Sequence, residues 1–86
     1  MQQYRYVVED EVMDLFIRAS SLQREKLLRA FQQLTDEAPI VTGDLDHKDS
    51  VGRPIYCKNL SGWRIWYWHD GPVREVRIVD VERTRR

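Results

Sequence analysis

Arg64 stands in the run Ser61-Gly62-Trp63-Arg64-Ile65-Trp66-Tyr67-Trp68-His69, a guanidinium set among three indoles. In an extended strand alternate residues share a face. Arg64, Trp66 and Trp68 would then point one way, and Trp63, Ile65, Tyr67 and His69 the other. Guanidinium groups grip phosphates, and an indole offers a base a stacking platform worth roughly 1–3 kcal/mol. Arginine beside exposed tryptophan is therefore a surface for single-stranded nucleic acid. Neighbouring strands are expected to add Tyr56 and Lys58 from one side and Arg74 or Arg77 from the other. The same residues also fit a second arrangement, with the tryptophans in a core and Arg64 capping its edge.

Other residues of reactive type carry less. His47 and His69 titrate near neutrality and can exchange protons, but each also suits an exposed loop or a strand end. Asp44, Asp46 and Asp49 have the spacing of a cation loop without the glycine and closing glutamate of an EF-hand. A polar loop is expected there, with no metal. Cys57 has no nucleophile motif around it and reads as a half-buried strand residue. As the single cysteine, it excludes an internal disulfide and a thiolate metal cluster and suits a reducing compartment. The run Glu82-Arg83-Thr84-Arg85-Arg86 is either a basic contact or a solubilising tail.

The elements that must position these groups follow from periodicity. Tyr4–Glu9 reads as a short strand. Asp10 suits a helix N-cap, and Val12, Leu15, Phe16 and Ala19 recur at helical spacing. Ser20 and Gln23 have the spacing of a capping box, so a second helix starts after the serine pair, with Leu27, Ala30, Phe31 and Leu34 as its apolar seam. Pro39 bars its continuation and pushes Ala38 out of helical geometry. From Thr42 to Gly52 the composition is that of a polar loop. Period-two patterns then give strands over Ile55–Leu60, Trp63–His69 and Val73–Val81, separated by Ser61-Gly62 and Asp70-Gly71-Pro72. The expected fold is α+β: an N-terminal strand, an antiparallel two-helix hairpin, and a C-terminal antiparallel meander. Such a sheet buries one face under the helices and leaves the other free.

Composition bounds the rest. The chain has 86 residues, 42% of them hydrophobic, which fits one domain spanning 1–86. Charged residues near the N-terminus exclude a signal-peptide core, and no run reaches the roughly 18 apolar residues of a membrane helix. A soluble, cytoplasmic protein is expected. The formal net charge is zero, yet residues 1–50 hold six basic against ten acidic side chains, and residues 51–86 eight against four. This gradient bears on nucleic-acid binding only if the basic half gathers on one surface.

The segment Ser61–Tyr67 resembles the "gYRvvY" strand of the RelE/ParE toxins of bacterial type II toxin–antitoxin systems. Val76–Arg83 is similar to that family's last strand, an apolar run ending in a basic residue, and the strand–helix–helix order and the Ala38-Pro39 break also fit. The resemblance covers nearly the whole chain as architecture and about fifteen residues as motif. It implies a toxin that cuts mRNA in the ribosomal A site, without metal or cofactor, by attack of the message's own 2′-hydroxyl on the adjacent phosphate. That reaction needs a base, cations on the transition state and an acid for the leaving oxygen. By resemblance Arg64 holds the scissile phosphate. Lys58 lies about one residue out of register with the family's lysine-bearing segment, and Arg83 or Arg85 matches the basic residue after the last strand. Trp66, Trp68, Tyr56, Arg77 and Arg85 are the expected RNA contacts. The tyrosine or histidine that many RelE-like nucleases place further on is missing at Arg85-Arg86, which leaves His69 or His47 as substitute proton carriers, since guanidinium stays charged. The implied partners are a cognate antitoxin, in a hetero-oligomer, and the ribosome with its mRNA. ParE-like members instead inhibit DNA gyrase, and a relative that binds without catalysis is a third reading.

Overall fold

The computed structural model describes residues 3–84. Strand β1 (Arg5–Val8) leads into helix α1 (Asp10–Arg18) and helix α2 (Ser21–Glu37). Strands β2 (Asp44–Lys48), β3 (Pro54–Leu60), β4 (Trp63–Asp70) and β5 (Glu75–Arg83) follow. They form one sheet in the order β1-β5-β4-β3-β2, antiparallel throughout except that β1 runs parallel to β5. The α+β architecture expected from the sequence is present. No helix among the described residues is long and apolar enough to cross a membrane.

The start of α2 is built as its sequence dictates. Ser20 Oγ accepts from the Gln23 N–H at 3.2 Å, and Gln23 Oε1 accepts from the Ser20 N–H at 3.1 Å, so two otherwise orphaned donors are satisfied reciprocally. The helix ends at Glu37. Ala38 is extended (ψ 146), and the Ala38–Pro39 peptide is cis. Helix α1 begins one residue earlier than expected: Glu9, not Asp10, occupies the N-cap position, and its side chain reaches Arg77 (3.7 Å) instead of capping.

Both helices lie on one side of the sheet. Val12, Leu27, Ala30, Phe31 and Leu34 pack against Trp63, Ile65, Tyr67, Val76, Ile78 and Val81, with Tyr6 and Val8 beside them. Tyr67 is buried to 1% exposure, and its hydroxyl accepts from the Gly43 N–H at 2.9 Å. That bond fixes the chain just before β2, and the burial of Tyr67 raises its phenol above the ordinary value.

Two expectations need correction. The Thr42–Gly52 loop contains strand β2, whose residues are all exposed. An edge strand wet on both faces has no apolar alternation to betray it, and its charges protect the open edge. The last strand is Glu75–Arg83 and not Val73–Val81, because Gly71–Val73 form a 3-10 turn closed by Arg74 in left-handed geometry (φ 55).

Gly43 generates a stability prediction. A Cβ there would meet Tyr67 Oη at 2.8 Å and the Cys57 carbonyl oxygen at 2.9 Å. Gly43→Ala is expected to lower unfolding free energy by about 1–3 kcal/mol through overpacking. Urea denaturation measures it, and an unchanged midpoint would show that this approach is not tight.

Candidate nucleic-acid interface

Strand β4 carries the site. Its helix-side residues Trp63, Ile65 and Tyr67 are buried, whereas Arg64 is exposed and Trp66 and Trp68 are half-buried on the free face. The core and surface arrangements left open by the sequence are thus both realised, on opposite sides of one strand. Arg64 pairs across to Glu82 on β5 and Asn59 on β3; Trp66 pairs to Asp80 and Cys57; Trp68 pairs to Arg77. The Arg64 guanidinium lies 6.0 Å from the Trp66 ring and donates to Glu82 Oε1 at 3.3 Å. Trp68 is flanked by two guanidinium groups, Arg53 at 4.3 Å and Arg77 at 5.9 Å from the ring centre.

A second ion-pair cluster ties β1 to β5. Glu75, with its side chain 10% exposed, accepts from Arg5 (2.8 Å) and from Arg77 (2.9 Å). Hydrogen bonds from Arg77 first and Arg5 second hold its carboxyl below the ordinary value. The free face is therefore electrostatically compensated: Arg5, Arg64 and Arg77 each meet a carboxylate.

The remaining sequence-selected residues do not join Arg64 on this face. Lys58 pairs with Ile65 and Tyr56 with Tyr67, so both belong to the helix side. The Lys58 ammonium is bound to Thr42 (2.7 Å) and Glu37 (3.2 Å). A cleft of about 290 Å³ is bordered by both Lys58 and Arg64, but the lysine's charge is spent on these partners. The reason is the hairpin: Ser61 and Gly62 both have positive φ, a two-residue turn that sets Leu60 opposite Trp63 and so fixes the register. Cys57 and Asn59, not Tyr56 and Lys58, are the β3 residues beside Arg64 and Trp66. Burial, then the Asp46 carboxylate, raise the Cys57 thiol, against the pull of Arg64.

Arg83 pairs with Trp63 and also faces the helices, where it borders a groove with Leu15, Ala19 and Gln23. A β-bulge causes this. Val79 and Asp80 together oppose Trp66, so the parity of β5 changes and the odd-numbered Arg77 and Arg83 emerge on opposite faces. His69 lies on the helix side, with its ring 5.9 Å from Tyr4 and 5.6 Å from Tyr67. Burial lowers its pKa, only partly offset by the Pro39 backbone, so it is neutral at neutral pH and remote in facing from Arg64. Arg74 sits in the turn, and Arg85 lies outside the described residues.

The geometry can be set beside known proteins. The isolated RelE toxin of E. coli superposes with a TM-score of 0.72 at 19% identity, over 96% of this chain and 86% of that one. The fold is that of the RelE toxins. The archaeal RelE–RelB complex from Pyrococcus horikoshii OT3 gives a TM-score of 0.69 at 15% identity over 99% of each chain. The intact E. coli RelBE toxin–antitoxin complex gives 0.63 at 20% identity over 96% and 99%. No family model and no curated protein matches the sequence.

On the RelE fold, three residues of this chain emerge that sequence reasoning passed over. Glu82 is the carboxylate against Arg64, Arg53 is stacked on Trp68, and Asn59 is the β3 residue directly opposite Arg64. The signal for Asn59 was available in the length of the Ser61-Gly62 turn. Glu82 and Arg53 needed the bulge and the loop geometry.

The Glu75 cluster predicts a pH dependence. Because its folded pKa is depressed below about 4.5, it contributes stability above that range and loses it as pH falls through the lowered value. Glu75→Gln is expected to be less stable than the parent at pH 7, with the gap narrowing as the pH is lowered below the ordinary carboxylate range. Urea midpoints across that range test it; a gap independent of pH would contradict the assignment.

Proposed function

We propose that this chain is the toxin of a type II toxin–antitoxin pair, acting on mRNA at the ribosome through the free face of its sheet. The observation that carries the reading is the exposed Arg64 beside Trp66 on the open face of a RelE fold. In this reading the bases lie on Trp66 and Trp68, and Arg64 exchanges its Glu82 contact for the scissile phosphate. The 2′-hydroxyl oxygen attacks phosphorus, the 5′-oxygen leaves and takes a proton from solvent water, and a cyclic phosphate remains. Glu82, released from Arg64, takes the 2′-hydroxyl proton. An acidic antitoxin covers the same face or a sheet edge, as RelE partners RelB in the structures of similar fold.

A second reading has a specific observation behind it. Lys58, His69 and Arg83 face the helices, so none of the lysine, the histidine and the terminal-strand arginine selected as catalytic partners stands beside Arg64 on the free face. That favours a protein that inhibits by binding, on a ParE-like target such as gyrase or on RNA without cutting it.

Expression in a bacterial host separates them. Growth arrest with discrete mRNA ends in primer extension supports cleavage; arrest with DNA damage and intact messages supports the second reading. Arg64→Ala is expected to abolish arrest while changing stability by no more than about 0.5 kcal/mol, since the side chain is exposed. Glu82→Gln should slow cleavage about 10²- to 10⁴-fold if the carboxylate is the base. Undiminished cleavage in that variant would remove Glu82 from the mechanism.

A further inference from the structure

Arg53 belongs to no motif, yet both its backbone and its side chain are held beside the free face by one carboxylate, Asp49. The loop before β3 is tied by Asp49, whose Oδ1 accepts from the Val51 N–H (3.0 Å) and the Arg53 N–H (2.9 Å). The Asp49 backbone closes the same turn through Gly52 and Arg53, with Gly52 in positive φ (86). Asp49 Oδ2 then accepts from Arg53 Nε at 2.7 Å, and the guanidinium carbon lies 4.3 Å over the Trp68 ring. Burial would raise the Asp49 carboxyl, but hydrogen bonds from Arg53 and Val51 hold it below its ordinary value, so the clamp stays charged.

The difference from its neighbours lies in which edge is occupied. Arg5, Arg64 and Arg77 spend Nη nitrogens on carboxylates. Arg53 spends only Nε, and neither Nη has a hydrogen-bond partner among the described residues. A guanidinium stacked on an indole and held by its Nε keeps a two-pronged Nη donor edge oriented at little entropic cost, the geometry that suits a phosphate.

We propose that Arg53 is a second phosphate contact for RNA lying along the free face of β4. Trp68 stands four residues from Arg64 along β4, about 13 Å at strand rise. The two arginines therefore bracket the Trp66–Trp68 platform. The cleft of about 400 Å³ beside this platform is lined by Arg53 and Trp68 themselves with Arg77, Val79, Glu9 and Glu11, so a phosphate on the Arg53 Nη edge also meets two carboxylates. This inference rests on the reading of the free face as an RNA surface, and its test reads binding separately from toxicity.

Binding of a fluorescein-labelled single-stranded oligoribonucleotide, deoxy-substituted to block cleavage, is followed by anisotropy across a range of NaCl concentrations. Arg53→Ala is expected to weaken binding about tenfold at low salt and to flatten the log–log salt slope by about 0.7, the loss of one phosphate contact. Arg53→Lys, which keeps the charge without the stacked fork, should restore the slope but not the full affinity. It also serves if the alanine variant fails to fold. An unchanged slope in both variants overturns the proposal. So does unchanged RNA binding with weakened capture of a glutamate-rich peptide, which would assign Arg53 to an acidic protein partner. A parent protein that arrests growth but binds no oligoribonucleotide overturns this inference and leaves the toxin reading standing. RNA binding that depends on Arg53 without growth arrest does the reverse.

Discussion

Everything in this molecule depends on the two-residue period of β4. The strand is hydrogen-bonded on both sides, so it cannot roll, and one of its faces is sealed beneath α1 and α2. Burying Trp63, Ile65 and Tyr67 obliges Arg64, Trp66 and Trp68 to stand on the other side. A one-residue slip would bury a guanidinium and expose the core, which is far more costly than any local rearrangement of the face. The position of Arg64 is thus set by core packing and not by any contact of its own. The β5 bulge serves the same requirement: without it, the apolar Val81 would face outward and Asp80 and Glu82 would turn into the core.

The free face is a compensated surface and not a plainly basic one. The positive charge of residues 51–86 divides between the two sides of the sheet. Arg64 and Arg77 lie on the free face with carboxylates beside them, while Lys58 and Arg83 lie on the helix side. On the proposed reading, an incoming phosphate displaces Glu82 from Arg64. The intramolecular pair is exposed and weak, so the exchange is feasible, but the gain is smaller than for a bare cation. Stacking on Trp66 and Trp68 then carries a larger share of affinity than charge does. A neutral chain can bind nucleic acid on these terms, with modest strength and a shallow dependence on salt.

Much of this was legible in the sequence, and the failures have physical causes. The helix hairpin was readable because Ser20 and Gln23 form a local capping box and Pro39 is an absolute stop. The face assignment of β4 was readable because period two is a property of the strand alone. Strand β2 was hidden because an exposed edge leaves no apolar signature in Asp44–Lys48. The positions of Lys58 and Arg83 depended on register, one set by a turn of positive-φ residues and the other by a bulge, and both invert faces by a single residue. The Arg53–Trp68 stack joins a loop to a strand and has no sequence period at all.

The central claim is that the Trp66–Trp68 face, and not the helix side, receives RNA. The three tryptophans provide their own control, because Trp63 is 3% exposed on the opposite side. In a proton–nitrogen NMR titration with a single-stranded oligoribonucleotide, the indole N–H signals of Trp66 and Trp68 and the Nε–H signals of Arg64 and Arg53 should shift together, while that of Trp63 stays fixed. Shifts confined to Trp63, Lys58 and Arg83, or no shift at all, would contradict the account.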